Sequence, residues 1–385
     1  VRPRLAQLLL FAALLVCGGA LPRGAAAQSV PAIDAVELGA SVETTEEASA
    51  LEPEALPAPA PTPAPVAPLP PPVDPLAGLT ITSSPDRPAD LVVLVSVDGL
   101  RADAVVPSLR TFAMLRRRGV SAENDSTIRR STTLASHAAM LSGVDDDQHG
   151  LTWNGWRPER GRIRFPTVLR VAARAGLPAV MFAGKNKLRH LIGEQEPGVS
   201  FNVVGRACAN VVERATPVLR DTPAGVVVLH FAGPDSAGHR RGWMSPTYRA
   251  SVAEADACVG SVIDVLRERA GGMARVLLVV TADHGGHGHS HGTPLEVDRR
   301  VPWFAWGGAA AHAQRVGRAL STMDTAATLL AALGLPQTPG MVGRPVTEAL
   351  RPRNAMLAHA GSGQPAARRR GPPGRVARAE ARSSQ

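Results

Sequence analysis

Four short apolar runs, separated by segments of helical spacing, constrain this chain most. Residues 91–97 read Leu-Val-Val-Leu-Val-Ser-Val, a nearly unbroken β-branched stretch. Such a run suits a strand covered on both faces, as in a parallel sheet. Similar runs fall at 179–182, 225–231 and 276–281. Between the last two, Tyr248, Val252, Ala255, Val259, Val262, Ile263 and Leu266 recur at helical spacing on one face. Alternating strands and helices imply an α/β fold, a three-layer α/β/α sandwich around a mostly parallel central sheet.

This pattern starts near Asp90 and fades at Leu350, so residues 88–352 are expected to form the folded domain. Roughly 260 residues suffice for a full core under a large sheet. Residues 28–87 are first acidic and small, then dominated by Pro and Ala, including Pro70-Pro71-Pro72. They have little to bury and read as an extended, solvated spacer. Residues 353–385 read as a disordered Arg-rich tail. Its last twenty residues hold six arginines against Glu380, which is +5 of the chain's formal +9. The basic balance therefore does not indicate nucleic acid, and no aromatic residue interleaves those arginines for base stacking. Weak contact of the tail with anionic surfaces is the reading it leaves.

Residues 1–27 have the layout of a signal peptide. Arg2 and Arg4 precede an apolar run at 5–16, broken only by Gln7, and Ala25-Ala26-Ala27 offers a small-residue cleavage site. The run is short for a membrane span. An exported protein, periplasmic or extracellular, is expected. Once Cys17 leaves with the leader, Cys208 and Cys258 remain. A disulfide and two buried thiols are both open readings of that pair.

Polar residues cluster where the apolar runs end. Asp98 directly follows the first run, Asp235 follows the third after a Gly-Pro turn, and Asp283-His284 follows the fourth. In open α/β sheets ligands gather beyond the carboxyl ends of strands, so three runs would deliver acids to one edge. Asp235 and His239 share one face at helical i, i+4 spacing. His287, His289 and His291 follow in a Gly-rich stretch. Carboxylate with imidazole suits zinc well and manganese less specifically. Thr133 opens a small-residue, helix-like segment after Arg129-Arg130-Ser131-Thr132. Locally its hydroxyl fits a helix cap and a metal-activated nucleophile equally.

Five short motifs occur in order: Val97-Asp98-Gly99-Leu100-Arg101, Thr133-Leu134-Ala135-Ser136-His137, Gly143 through His149-Gly150, Gly233-Pro234-Asp235-Ser236-Ala237-Gly238-His239, and Ala282-Asp283-His284-Gly285. Together they resemble the type I phosphodiesterase and nucleotide pyrophosphatase branch of the alkaline phosphatase superfamily. The likeness covers roughly residues 90–350, including Met323 to Thr328 and Gly343-Arg344-Pro345-Val346.

The resemblance implies a hydrolase of phosphoric esters with two divalent metals, usually zinc, acting on a small phosphate ester or a lipid head group. Asp98, Thr133, Asp283 and His284 would hold one metal, and Asp235, His239 and a later histidine the other. A shorter branch, which includes the ethanolamine phosphate transferases, has His-Gly soon after Asp-His-Gly. His291-Gly292 fits that pattern, with His287 and His289 as alternatives. Thr133 would be the nucleophile and form a phospho-threonine. Asn154 and the amide at the helix start would bind the phosphoryl oxygens.

Transfer of a phosphoethanolamine-type group on the same site is the alternative activity, and a non-catalytic secreted binding protein the bland one. Ala135-Ser136 stands where the family commonly has Pro-Asn, and the insertion that carries nucleotide specificity is missing. Sulfatases need Cys or Ser followed by x-Pro-x-Arg, a pattern that neither Ser131 nor Cys208 has.

Overall fold

The four apolar runs are strands, and they form the middle of one sheet. The structure is a computed structural model that describes residues 74–193 and 196–351, all within one compact unit. Strands β1 (Leu91–Val97), β2 (Val120–Ser126), β3 (Ala179–Ala183), β4 (Val199–Val203), β5 (Gly225–Phe231), β6 (Val276–Thr281), β7 (Arg300–Trp306) and β8 (Gln314–Val316) lie in the order β4-β3-β5-β1-β6-β7-β2-β8. The short β9 (Leu320–Ser321) also pairs with β2. From β4 to β6 every pairing is parallel. Strand β7 runs antiparallel to both neighbours.

The helices are α1 (Arg110–Arg118), α2 (Thr133–Ser142), α3 (Asp146–His149), α4 (Val168–Arg174), α5 (Cys208–Asp221), α6 (Gly233–Arg241), α7 (Pro246–Glu268), α8 (Glu296–Arg299) and α9 (Met323–Ala332). Because strand side chains alternate, the sheet feeds two cores. Val92, Leu94, Val226, Val228, Leu277 and Val279 pack with Leu134 of α2, Leu169 of α4 and Leu329 of α9. Val93, Val95, Val227, Leu229 and Leu278 pack with Phe112 of α1, Val211 of α5 and the apolar face of α7. The three layers are those of an α/β/α sandwich. No helix among the described residues is long and apolar enough to cross a membrane.

The spacer ends earlier than expected. Residues 74–87, read as solvated, lie on the domain. Leu76 is 1% exposed and belongs to the core. Asp74 pairs with Arg170 at 2.7 Å, and the Ser83 hydroxyl donates to the Leu333 carbonyl at 2.6 Å. Isolated apolar residues in a Pro/Ala-rich context carry no periodicity, so this docking has no sequence signature. The expected signal peptide at 1–27, residues 28–73 of the expected spacer and the expected tail at 353–385 lie outside the described residues. Cys208, at the start of α5, is disulfide-bonded to Cys258 of α7, with their Cα atoms 6.1 Å apart.

Candidate metal centre

Strands β5, β1 and β6 are neighbours, so their carboxyl ends lie side by side, Val97 opposite Phe231 and Ser96 opposite Thr281. Asp98 and Asp283 follow β1 and β6, and Asp235 sits in the first turn of α6. Gly99 joins the three turns. Its φ is +74°, its N–H donates to Asp283 Oδ1 at 3.1 Å, and a Cβ there would stand 2.8 Å from the Asp235 Cα. Only glycine meets both demands without strain. The Asp235 N–H donates to the Asp98 carbonyl at 2.9 Å.

Two clusters result. In one, His284 Nε2 lies 3.4 Å from Asp98 Oδ1, 3.3 Å from Asp283 Oδ2 and 3.3 Å from Thr133 Oγ1. In the other, Asp235 Oδ1 faces His239 Nε2 at 3.3 Å, His291 Nε2 at 3.4 Å and His284 Nε2 at 3.9 Å. His284 reaches both, stacked on His291 with ring centroids 3.7 Å apart. Asp98 with Asp283 and His284, and Asp235 with His284 and His291, have the donor spacing of a metal site.

The hydrogen bonds around the clusters decide what fits inside them. His284, His291 and His239 each point Nδ1 at a backbone carbonyl, of Gly285, Ser131 and His289, at 2.8, 3.0 and 2.9 Å. A carbonyl only accepts, so Nδ1 carries the proton and each Nε2 turns a lone pair inward. Asp98 Oδ1, Asp235 Oδ1 and Asp283 Oδ2 are buried with no hydrogen-bond partner among the described residues. Lone pairs and unpartnered carboxylate oxygens crowded together need cations between them. Divalent metal fits this donor set.

The other oxygens of these carboxylates are occupied. Asp283 Oδ1 accepts the N–H groups of Gly99 and His284 at 3.1 and 3.0 Å. Asp98 Oδ2 accepts from His230 Nε2 at 2.8 Å and from Lys185 Nζ at 2.6 Å. His230 in turn accepts the Gly184 N–H on Nδ1 at 3.1 Å, which fixes its tautomer. His137 donates from Nδ1 to the Thr133 carbonyl at 2.7 Å, 3.3 Å from Asp283 Oδ2. Burial would raise the Asp98 carboxyl, but the Lys185 ammonium and His230 hold it well below the usual carboxylate range. Asp235 is held at about 2, since His239 and Lys185 outweigh burial and the Asp98 charge. Burial and the neighbouring His284 lower His291 to about 4, so it is neutral at pH 7 as a ligand must be.

Thr133 is the first residue of α2, after the N-cap Thr132, whose side chain makes no cap bond. Its hydroxyl is therefore not a cap. It lies fully buried beside His284 Nε2, with Lys185 Nζ donating to it at 3.4 Å. Asn154 Oδ1 accepts from the Leu134 N–H at 3.1 Å and from Lys187 Nζ at 2.9 Å. The helix-start amide of Leu134, expected to face phosphoryl oxygens, is thus committed to Asn154, whose own NH₂ remains a donor. Of the three Gly-rich-loop histidines only His291 enters the clusters. His287 donates to Asp298 at 2.7 Å, and exposed His289 donates to the His239 carbonyl at 3.1 Å.

Lys185, Lys187, His230 and His137 had no part in the sequence reading as site residues. Two of them carried a signal. Lys185 follows the end of β3 as Asp98 follows β1, and His230 is a lone imidazole inside a buried apolar strand.

A family model described as "Type I phosphodiesterase / nucleotide pyrophosphatase" matches residues 92–301, more than half of the 385-residue chain. The chain belongs to this family. Its fold is shared with solved phosphodiesterase and alkaline phosphatase structures. The murine ectonucleotide pyrophosphatase/phosphodiesterase 5 structure superposes with a TM-score of 0.57 at 15% identity, covering 68% of this chain and 100% of that one. The alkaline phosphatase PafA structure gives 0.58 at 12% identity, covering 70% and 100%. Among curated sequences, a 2,3-bisphosphoglycerate-independent phosphoglycerate mutase of Desulforudis audaxviator is 34% identical over 126 residues, 31% of this chain. This chain spans 22% of that enzyme's length, and 47% of the human ectonucleotide pyrophosphatase/phosphodiesterase family member 7.

Proposed function

We propose that this family member is an exported, metal-dependent phosphoric ester hydrolase that uses Thr133 as nucleophile and passes through a phospho-threonine. The observation that carries the reading is the Thr133 hydroxyl, buried at a helix start among unpartnered carboxylate oxygens and inward-facing imidazoles. Asp98, Asp283, His284 and Thr133 would hold one divalent ion, and Asp235, His239 and His291 the other. The Asp/His set suits zinc best. Bound there, the ions supply charge that favours an alkoxide nucleophile and an alkoxide leaving group.

The chain's own residues do the rest. Thr133 Oγ1, its proton given up to solvent, bonds to phosphorus as the bond to the departing alkoxide breaks; the alkoxide takes a proton from water, and a further water cleaves the phospho-threonine, restoring the hydroxyl and releasing phosphate or a phosphate monoester. Lys185 donates to Thr133 Oγ1 and so stabilises it as its proton leaves. The Asn154 NH₂ and Lys187 are placed to bind non-bridging oxygens, where preorganised donors act most strongly. His230 holds the Asp98 carboxylate in orientation, and His137 is bonded to the Thr133 carbonyl beside Asp283. The Cys208–Cys258 disulfide supports an oxidising compartment, and so export.

The test is acid quenching of zinc-loaded protein with substrate, followed by peptide mass spectrometry. A phosphate on Thr133 is expected, lost in Thr133→Ala, with kcat lower by about three orders of magnitude or more. Full turnover by Thr133→Ala, or by chelator-treated protein, contradicts the proposal.

A further inference from the structure

A cleft of about 480 Å³ opens from the mouth of the metal centre. Asp235 and His239 line it together with Lys185, Lys187, Arg206 and Arg240, and the rest of its lining is Gly184, Asn186 and Ser236. Apart from the His239 ring, no aliphatic or aromatic side chain lines it. The Lys185 charge is met by Asp98 and Asp235. Among the described residues the two guanidiniums meet no carboxylate. Arg206 reaches only the Ser236 hydroxyl, at 3.3 Å, and Arg240 makes no hydrogen bond or ion pair among the described residues.

From this we infer that the substrate's leaving group carries a negative charge of its own, a carboxylate or a second phosphate, recognised by Arg206 and Arg240. The inference rests on the hydrolase reading given above. In-line attack from Thr133 sends the departing oxygen to the opposite side of phosphorus. Placing that side at Asp235 and His239 puts the leaving group at the head of the cleft. Its walls offer no apolar floor for an acyl chain or a stacked base. They repel an ammonium head group, which argues against ethanolamine or choline esters. A small, hydrophilic, anionic alcohol matches the cleft in size and charge. Arginine's planar fork suits both carboxylate and phosphate, so the geometry leaves the anion's identity to experiment.

The test is calorimetric titration of the zinc-loaded Thr133→Ala protein, in which bound ester should persist. The probes are phosphoglycolate, ethyl phosphate, phosphoethanolamine and 1,3-propanediol bisphosphate. At least one of the two esters with a second anionic group should bind about five- to fiftyfold tighter than ethyl phosphate, and phosphoethanolamine no tighter. The better of the two names the anion. Adding Arg206→Ala or Arg240→Ala should narrow that gap about three- to tenfold, and rising salt should narrow it further. Equal affinities, a preference for phosphoethanolamine, no binding of either anionic ester, or an unchanged gap in both arginine variants would overturn the inference. Should the preference hold while the wild-type zinc enzyme frees phosphate from none of the esters, charge recognition stands and hydrolysis is the part that fails.

Discussion

Replacing Gly99 with alanine should damage the metal centre without touching a ligand. Two separate costs arise at this position. An L-residue at φ +74° pays about 1–2 kcal/mol of backbone strain. The new Cβ would also stand 2.8, 2.9 and 3.0 Å from the Cα, Cβ and N of Asp235, mostly backbone that cannot swing aside. Relieving such overpacking costs about 1–3 kcal/mol. The stiffer unfolded chain returns about 0.4–1 kcal/mol. The net is roughly 1.5–4 kcal/mol, or a fall in Tm of about 3–15 °C for a domain of this size.

The second consequence is positional. Relief of the clash moves Asp235 away from Asp98 and Asp283, and zinc tolerates donor errors of only about 0.2 Å. Affinity should fall roughly 10- to 100-fold, read by zinc competition against a chromogenic chelator. Gly176→Ala is the matched control. Its φ is +76° but nothing lies within 4 Å of the added carbon, so it should lose the strain term alone and keep zinc affinity. If Gly99→Ala and Gly176→Ala behave alike, the close approach to Asp235 is not what the glycine serves.

Two further outcomes follow from the same geometry. His291→Ala should cost far more activity at low zinc than His287→Ala or His289→Ala, with partial rescue by excess zinc; activity assays across a zinc series that rank His289→Ala worst would reassign the ligand. Asp125 is fully buried, and burial with the Asp324 charge pushes its carboxyl up to about 8. The folded state therefore holds a proton that the unfolded chain gives up near its ordinary value, so stability declines as pH rises between those two values, by about 1.4 kcal/mol per unit. Asp125→Asn keeps the neutral shape, and urea unfolding at pH 5 and pH 8 should show the wild type losing several kcal/mol relative to it; parallel pH profiles would refute this.

The central strands were legible because burial on both faces leaves continuous β-branched runs, and Asp98, Asp235 and Asp283 because each stands where a run stops. Strand β2 reads Val-Ser-Ala-Glu-Asn-Asp-Ser and gave no such sign. It lies between β7 and the short β8 and β9, away from the doubly covered middle of the sheet. Spacing presents His287, His289 and His291 alike, and the resemblance singled out His291; in the fold Asp298 and the His239 carbonyl claim the other two. Lys185 was hidden for another reason. A lone lysine is an ordinary surface residue in sequence, and only the β3–β5 pairing carries it to Asp98 and Asp235.

The three carboxylates come from strands that touch in space but not in sequence. Pairing β1 with β5 brings Leu91 to Gly225, and pairing it with β6 brings Leu91 to Val276, so well over a hundred residues must be looped in before either contact forms. Parallel pairings of this kind are slow, since chain entropy is lost before contacts compensate. No partial chain holding only β1 and α2 has a binding centre, because Asp235, Asp283 and all three inward histidines arrive with the second half of the domain. On the proposed function, metal uptake is then a late event in the life of each molecule. Its appearance during refolding would time the closing of the sheet, much as a clasp registers only when both ends of a strap have met.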